Sequence, residues 1–522
     1  MDDKALNGYT ERLGSEGFLV VLEAALPAGA PLTIQCAFGE VCYLNLSGQV
    51  VFCRQITSSP LEGEGGGEGG FPQHAIGIKF SGLREFEKKI LISAIQELKQ
   101  HTLPQEKSLL TILVSKDTLA LEAADTSIRT TFMAKVTNYR RAEELRSQGL
   151  YLYMRPLRSA CGPRVNVCGR EMIMLASYNY LGLATHPKVK EAARAALEKF
   201  GIGAGGPRLL SGNYDLHEEL ESKLASFKGG EACVVYNSGY STNLGTIASL
   251  LEKGDVAILD KKDHASIFDG SYFSRCRVRT FDHNNMNHLE EVLRRNSENC
   301  SCLIVVDSIY SMDGDLADLT GIYALSKKYH AVLMIDEAHA TGVLGKTGRG
   351  AAEHFGLEGK IDIVMGTLSK ALGGLGGFIV GRRELIAYLK HNARPFVFSV
   401  ALPPMICAAM LAALEVIESE PQWRTRLLYN TSFMRKGLQA LGFDTANSST
   451  PIIPVIIGDE LKTYRFAKLL ERMGVFACPV AWPAVDCGSA RLRVNVMATH
   501  SEADLSEALD VFKKAGVELG II

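Results

Sequence analysis

The chain has 522 residues, with 56 Lys and Arg against 58 Asp and Glu and a net charge of -2. It is long enough for several domains and lacks the basic field that nucleic acid or an anionic membrane surface would require. Its 12 cysteines show no Cys-x-x-Cys pair and no regular spacing, which argues for reduced thiols in a cytoplasmic protein and against a metal site or a disulfide framework.

The amino terminus carries no signal-peptide apolar core, and no window approaches about 18 uninterrupted apolar residues, so no transmembrane segment is predicted. The first hundred residues read as a small β-unit. FLVVLEAAL, PLTIQCAF and VCYLNLSGQVVFCRQI are separated by Pro and Gly turn signals. SSPLEGEGGGEGGFPQHA, residues 58–75, cannot bury apolar surface and reads as a loop. HAIGIKF adds a strand, and Phe86, Ile90, Ile92 and Ile95 mark an amphipathic helix.

The piece IGIKFSGLREFEKKILISAI resembles a PilZ domain, a barrel that in many bacterial proteins binds a cyclic dinucleotide. Residues 1–100 are therefore expected to form a PilZ-like β-barrel with a C-terminal helix. The ligand motifs of that family, Arg-x-x-x-Arg and Asp-x-Ser-x-x-Gly, are degenerate here: Arg12 stands alone, and Ser15 to Gly17 is a broken echo. Cyclic dinucleotide binding is accordingly not expected. Residues 101–150, ending in NYRRAEELRSQGLYLY, read as a linker and lead-in helix.

From about 151 onward helical patterns alternate with apolar runs: ACVVYNSG, VAILD, CLIVVDS, AVLMIDEAH, IDIVMGT and GGFIVG. That alternation predicts a mostly parallel sheet covered on both faces, a large α/β domain over 151–400. The last stretch, 401–522, has longer helices and a few strands (PIIPVIIG, RLRVNVM) and reads as a smaller α/β domain.

Polar residues cluster just past the apolar runs, where open α/β sheets bind ligands. VLMIDEAHATG ends a strand in Asp336, although a helix N-cap carboxylate would read the same way. YNSGYSTNLGTI places Ser238, Gly239 and Tyr240 at a strand-to-helix turn whose N–H groups suit an anion. LDKKDHASIFDG presents His264, and VVDSIYSMDGD presents Ser311 and Asp313. In DIVMGTLSKALGGLGGFIVG, Lys370 stands between an apolar run and a glycine cluster, beside Thr367 and Ser369.

A tight turn would explain that lysine alone. A carboxylate and a lysine converging in one dry crevice suit pyridoxal phosphate (PLP), with the amine as Schiff-base partner, the acid on the pyridine nitrogen, the hydroxyls on the phosphate, and small neighbours leaving room for the cofactor.

Over roughly residues 150–520 the chain resembles the α-oxoamine synthase family of fold-type I PLP enzymes. SYNYLGLATHP, GAGGPRLLSGNYDLHEELE, DHASIFDG, SMDGD, DEAHATGVLGKTGRG, GTLSKALGGLGG, RPFVFSVALPP and RLRVNVMATH carry the likeness. It implies a fold-type I α/β transferase with Lys370 as Schiff-base lysine, Asp336 on the pyridine nitrogen, His264 stacking on the ring and His339 near the ring oxygen. Ser311 and Thr367 become cofactor contacts, Ser238, Gly239 and Tyr240 the phosphate cradle, and Arg493 the grip on the amino-acid carboxylate. Tyr178 and Asn179 join the substrate side, and Ser399 reaches the phosphate of a neighbouring subunit in a homodimer.

The implied reaction condenses an amino acid with an acyl-CoA, or an acyl carrier protein thioester, and releases carbon dioxide. Tyr178 and RPFVFSVALPP favour the serine and long-chain acyl members, such as serine palmitoyltransferase. Alanine with a pimeloyl thioester (8-amino-7-oxononanoate synthase) and glycine with acetyl-CoA are the alternatives. An inactive scaffold for the N-terminal unit is the alternative from another class.

Overall fold

The computed structural model describes residues 132–297 and 300–522 with their side chains, and before them the backbone of residues 4–14, 17–22, 31–38, 42–56, 73–80, 110–114 and 128–131. Contacts divide the chain into two units, Met1–Arg141 and Ala142–Ile522.

In the first unit, strands β1 (Lys4–Gly14), β2 (Gly17–Leu22), β3 (Pro31–Phe38), β4 (Cys42–Ile56), β5 (Gln73–Phe80) and β6 (Leu110–Val114) form one sheet of order β3-β4-β5-β2-β1-β6. Every neighbouring pair is antiparallel. The strands expected from residues 18 to 80 are present. β1 is an addition, because its polar sequence KALNGYTERLG hides a strand pattern. The helix expected at residues 86–95 and residues 58–72 of the glycine-rich insertion lie outside the described residues.

The second unit opens on the helix Arg141–Ser147, where a lead-in helix was expected, followed by a hairpin, β7 (Arg164–Val167) and β8 (Arg170–Met174). Its central sheet uses β9 (Ala232–Tyr236), β10 (Val256–Asp260), β11 (Arg277–Phe281), β12 (Cys302–Asp307), β13 (Val332–Asp336), β14 (Ile363–Thr367) and β15 (Gly377–Gly381), in the order β11-β10-β12-β13-β14-β15-β9. β10 to β14 run parallel, and β15 is antiparallel to both its neighbours.

The physical reason is burial on two faces. Alternate side chains of a strand point to opposite sides. Ile258, Ile304, Val306, Leu333 and Ile335 enter one apolar cluster, while Ala257, Leu259, Leu303, Val305 and Met334 enter another. Hence the continuous apolar runs. The edge strand β11 alternates Arg and apolar residues because its outer face is wet, which is why no apolar run announces it.

Two helices matter for the site: α1 (Gly239–Leu250), which follows β9, and α2 (Ala265–Phe273), which follows β10. Toward the carboxyl end, α3 (Gln422–Ala440), β16 (Ile452–Gly458), α4 (Glu460–Arg472), β17 (Val475–Phe476), β18 (Cys478–Val480), β19 (Ala490–Asn495) and α5 (Glu502–Glu518) complete the unit. This segment does not build its core from 401–522 alone. β17 pairs with β8, and Leu152, Ile173 and Leu175 pack among Phe443, Phe466, Val494 and Phe512. Among the described residues no helix is long and apolar enough to cross a membrane.

Candidate active site

Parallel strands place their carboxyl ends along one rim of the sheet. The segments following β9, β10, β12, β13 and β14 meet there around a cavity of about 240 Å³. Ser238, Gly239, Tyr240, His264, Ser311, Asp336, His339, Thr367 and Lys370 all line it, together with Asn243, Ser266, Asp307 and Ser369. Nine residues separated by more than 130 positions are thereby brought together.

At the β9 end, Ser238 caps α1. Its hydroxyl accepts from the Ser241 N–H at 3.0 Å. The N–H groups of Gly239 and Tyr240 belong to the first turn, which has no intrahelical acceptors, and both residues line the cavity. A side chain at position 239 would lie 3.2 Å from Thr367 Oγ1, so the glycine keeps this corner open. Thr367 donates to the Gly376 carbonyl at 2.8 Å and lies 2.8 Å from the Ser369 hydroxyl.

Asp336 closes β13, buried, with each oxygen occupied. Oδ1 accepts from the Ala338 N–H at 2.8 Å, and Oδ2 accepts from the Asn243 side-chain amide at 2.7 Å. That amide also reaches Ser266 Oγ at 2.9 Å. His264 caps α2: its Nδ1 lies 2.7 Å from Ser266 Oγ, and its backbone N–H donates to Asp307 at 2.9 Å. Burial pulls the His264 pKa below its ordinary value, with Asp336 opposing and Lys370 adding to the effect. The Lys370 amine is likewise lowered by burial, against the pull of Asp336 and Asp307. Asp307 is pushed well up, first by burial and then by Asp336.

On the opposite side, the Lys370 amine stands 5.9 Å from the Tyr178 ring centroid, and the Arg493 guanidinium stands 4.8 Å from the same ring. Arg493 donates to the Tyr178 hydroxyl and, at 3.3 Å, to the Ser311 carbonyl. Its Nε is buried without a partner among the described residues, so the guanidinium keeps donors for a further acceptor.

Two expected site residues stand elsewhere. Asn179 is buried with its amide on the Cys161 carbonyl at 3.1 Å and its own oxygen taken by the Ala184 N–H at 3.2 Å. Its side chain braces a turn and does not line the cavity. Ser399 lines a separate small cavity with Arg208 and Asn237.

The glycines after Lys370 also need correction. Gly373 has φ of +78°, and a Cβ there would meet the Ala184 backbone at 2.3 Å. At Gly376, with φ of +115°, the obstacle is the Tyr236 carbonyl at 2.8 Å. They let the lysine turn pack against protein backbone, not against a cofactor. The contributions of Asn243, Ser266 and Asp307 escaped the sequence reading. Asp307 ends an apolar strand just as Asp336 does, and that parallel was the available signal.

The family model for class I and II aminotransferases matches residues 170–512. An 8-amino-7-oxononanoate synthase from Thermoanaerobacter pseudethanolicus is 47% identical over 381 residues, 73% of this chain and 96% of that protein. Another from Geobacter sulfurreducens is 45% identical over 382 residues, 73% of this chain and 98% of that protein. Among solved structures, a serine palmitoyltransferase from S. paucimobilis with PLP and myriocin bound gives a TM-score of 0.73 at 32% identity, covering 76% of this chain and 100% of that one. The PilZ resemblance of residues 1–100 gains no support from these comparisons.

PLP is the cofactor these similarities indicate, and the residues present fit it. The cavity is lined by helix N–H groups suited to an anion, a doubly hydrogen-bonded carboxylate and a half-buried primary amine.

Proposed function

Because the chain belongs to the α-oxoamine synthase family of PLP enzymes, we propose that it is an 8-amino-7-oxononanoate synthase, condensing alanine with a pimeloyl thioester and releasing the thiol and carbon dioxide. The observation that carries this reading is 47% identity across 96% of a relative of that name. The serine and long-chain reading is less well supported, since the serine palmitoyltransferases of like fold are only 32–34% identical. Tyr178 was a poor guide to it. Its hydroxyl is held by Arg493, a contact indifferent to whether the amino acid carries a methyl or a hydroxymethyl group.

Bound in the cavity, PLP supplies a carbonyl for Schiff-base formation and a ring that stabilises negative charge at the amino acid's α-carbon. Lys370 is the amine partner. Its lowered pKa favours the free base, so that once released it can take the α-proton. Asp336, fixed by Asn243 and the Ala338 N–H, is the carboxylate that would pair with the pyridine nitrogen. Ser238, Gly239 and Tyr240 would hold the phosphate, Thr367 joining them by turning its hydroxyl from the Gly376 carbonyl; His264 would cover the ring, and Ser311 and His339 would serve its oxygen. Arg493 would bind the amino-acid carboxylate and so fix the orientation of the α-carbon.

The protein works as a homodimer in this reading, with Ser399 contributing to the partner's phosphate site. The scaffold alternative loses its basis, because Lys370, Asp336 and His264 line one cavity.

The test is thiol release by the PLP-loaded protein with three pairs: alanine and pimeloyl-CoA, serine and palmitoyl-CoA, glycine and acetyl-CoA. Turnover with the first pair exceeding the others by at least tenfold is expected. Preference for serine and palmitoyl-CoA would overturn the assignment.

A further inference from the structure

Tyr180 is one of the most deeply buried aromatic residues of the protein, 1% exposed, and it touches neither the amino acid nor the thioester in the roles assigned above. Its hydroxyl lies 2.8 Å from Nδ1 of His339. His339 is itself buried at 7% exposure, yet it lines the cavity. The imidazole is wedged edge-on against Tyr178, with ring centroids 5.7 Å apart.

The protonation of this pair follows from its surroundings. Burial, then the positive charges of Lys370 and Arg493, hold the His339 pKa well below its ordinary value, so the ring is neutral and carries one N–H and one lone pair. Burial pushes the Tyr180 hydroxyl well above its usual pKa, so it keeps its proton. His339 Nδ1 is the partner the structure gives that hydroxyl. If Nδ1 carried the ring proton, the hydroxyl would accept and its own buried O–H would be unsatisfied, at a cost of about 1–3 kcal/mol. The hydroxyl therefore donates.

The geometry points to Tyr180 as a positioning residue that holds His339 as the Nε2–H tautomer and so presents an N–H donor, not a lone pair, to the cavity. A neutral imidazole facing an anionic ring oxygen attracts it through N–H and repels it through a lone pair. Which of the two occurs is decided here by a residue on the far side of the ring. The inference rests on PLP as the cofactor and is independent of the choice among alanine, serine and glycine.

NMR of the protein with isotope-labelled histidine imidazole nitrogens tests it, with a His339→Gln variant identifying the resonances. In the wild-type protein, His339 should appear as the Nε2–H tautomer, with Nδ1 displaced by hydrogen-bond acceptance. In Tyr180→Phe, Nδ1 should move toward the position of an unbonded imidazole nitrogen, while the other histidines keep theirs.

A wild-type His339 protonated at Nδ1 would overturn the inference whether or not Tyr180→Phe folds. So would an Nδ1 resonance that does not move in the variant. In the PLP-loaded protein, the pH midpoint of the cofactor's visible band should shift in Tyr180→Phe, a change that loss of packing alone would not produce.

Discussion

The side-chain amide of Asn243, on α1, holds Oδ2 of Asp336, at the end of β13, at 2.7 Å. The helix whose first-turn N–H groups line the cavity thus also fixes the carboxylate that, in the proposed function, would serve the pyridine nitrogen of PLP. Asn243→Ala removes a hydrogen bond to a charged group, worth about 2 kcal/mol. The Kd for PLP should rise by up to roughly thirtyfold, measured by equilibrium titration of cofactor absorbance, and the apoprotein's melting temperature should fall too, because Asn243 is buried and Asp336 loses a partner whether or not PLP is bound.

Lys370→Ala should bind PLP without forming the Schiff base. Its purified form should lack the visible band of the wild-type holoenzyme and show no thiol release with any substrate pair. Because the side chain faces the cavity, the melting temperature of the apoprotein should be nearly unchanged.

His283 bridges two carboxylates, with Nδ1 3.0 Å from Asp260 and Nε2 2.8 Å from Asp315. Burial pulls its pKa down, but these hydrogen bonds outweigh burial and lift it to about 9 from 6.5. A group whose folded pKa is raised stabilises the fold fully below its unfolded pKa and loses that effect as pH rises through its folded value. The bridge should therefore be complete below pH 6.5 and lost as the pH passes about 9. Its size should be on the order of 3 kcal/mol. Denaturant unfolding of wild type and His283→Gln should differ most at the acidic end of that window and converge above it.

Lys228 and Glu337 form an ion pair inside the protein, with side chains 2% and 0% exposed. Lys228 also donates to Thr341 at 2.9 Å, and Glu337 accepts from the Ala352 N–H at 2.7 Å. Lys228→Met leaves Glu337 charged and buried, and should destabilise the fold by about 3–5 kcal/mol. The double variant Lys228→Met with Glu337→Gln should recover part of that loss in denaturant unfolding.

Much of the sheet was legible because burial on both faces writes itself as an apolar run: β9, β10 and β12 to β15 each fill one. The carboxylate and the amine were legible too, since Asp336 ends such a run and Lys370 follows another within a few residues. Periodicity reports how far a segment is buried and where it stops. It does not report what a side chain meets.

Asn179 and Tyr178 are neighbours in one motif, yet one braces a turn while the other carries the Arg493 guanidinium from 315 residues away. The glycines beside Lys370 looked like space for a cofactor and are instead the room that Ala184 and Tyr236 require. Chain order alone determined the strands, the rim they share and the residue types that end on it. Only the tertiary structure decided which of those polar groups retain a free donor or acceptor in the cavity, because hydrogen bonds between distant segments form only once packing has brought the segments together.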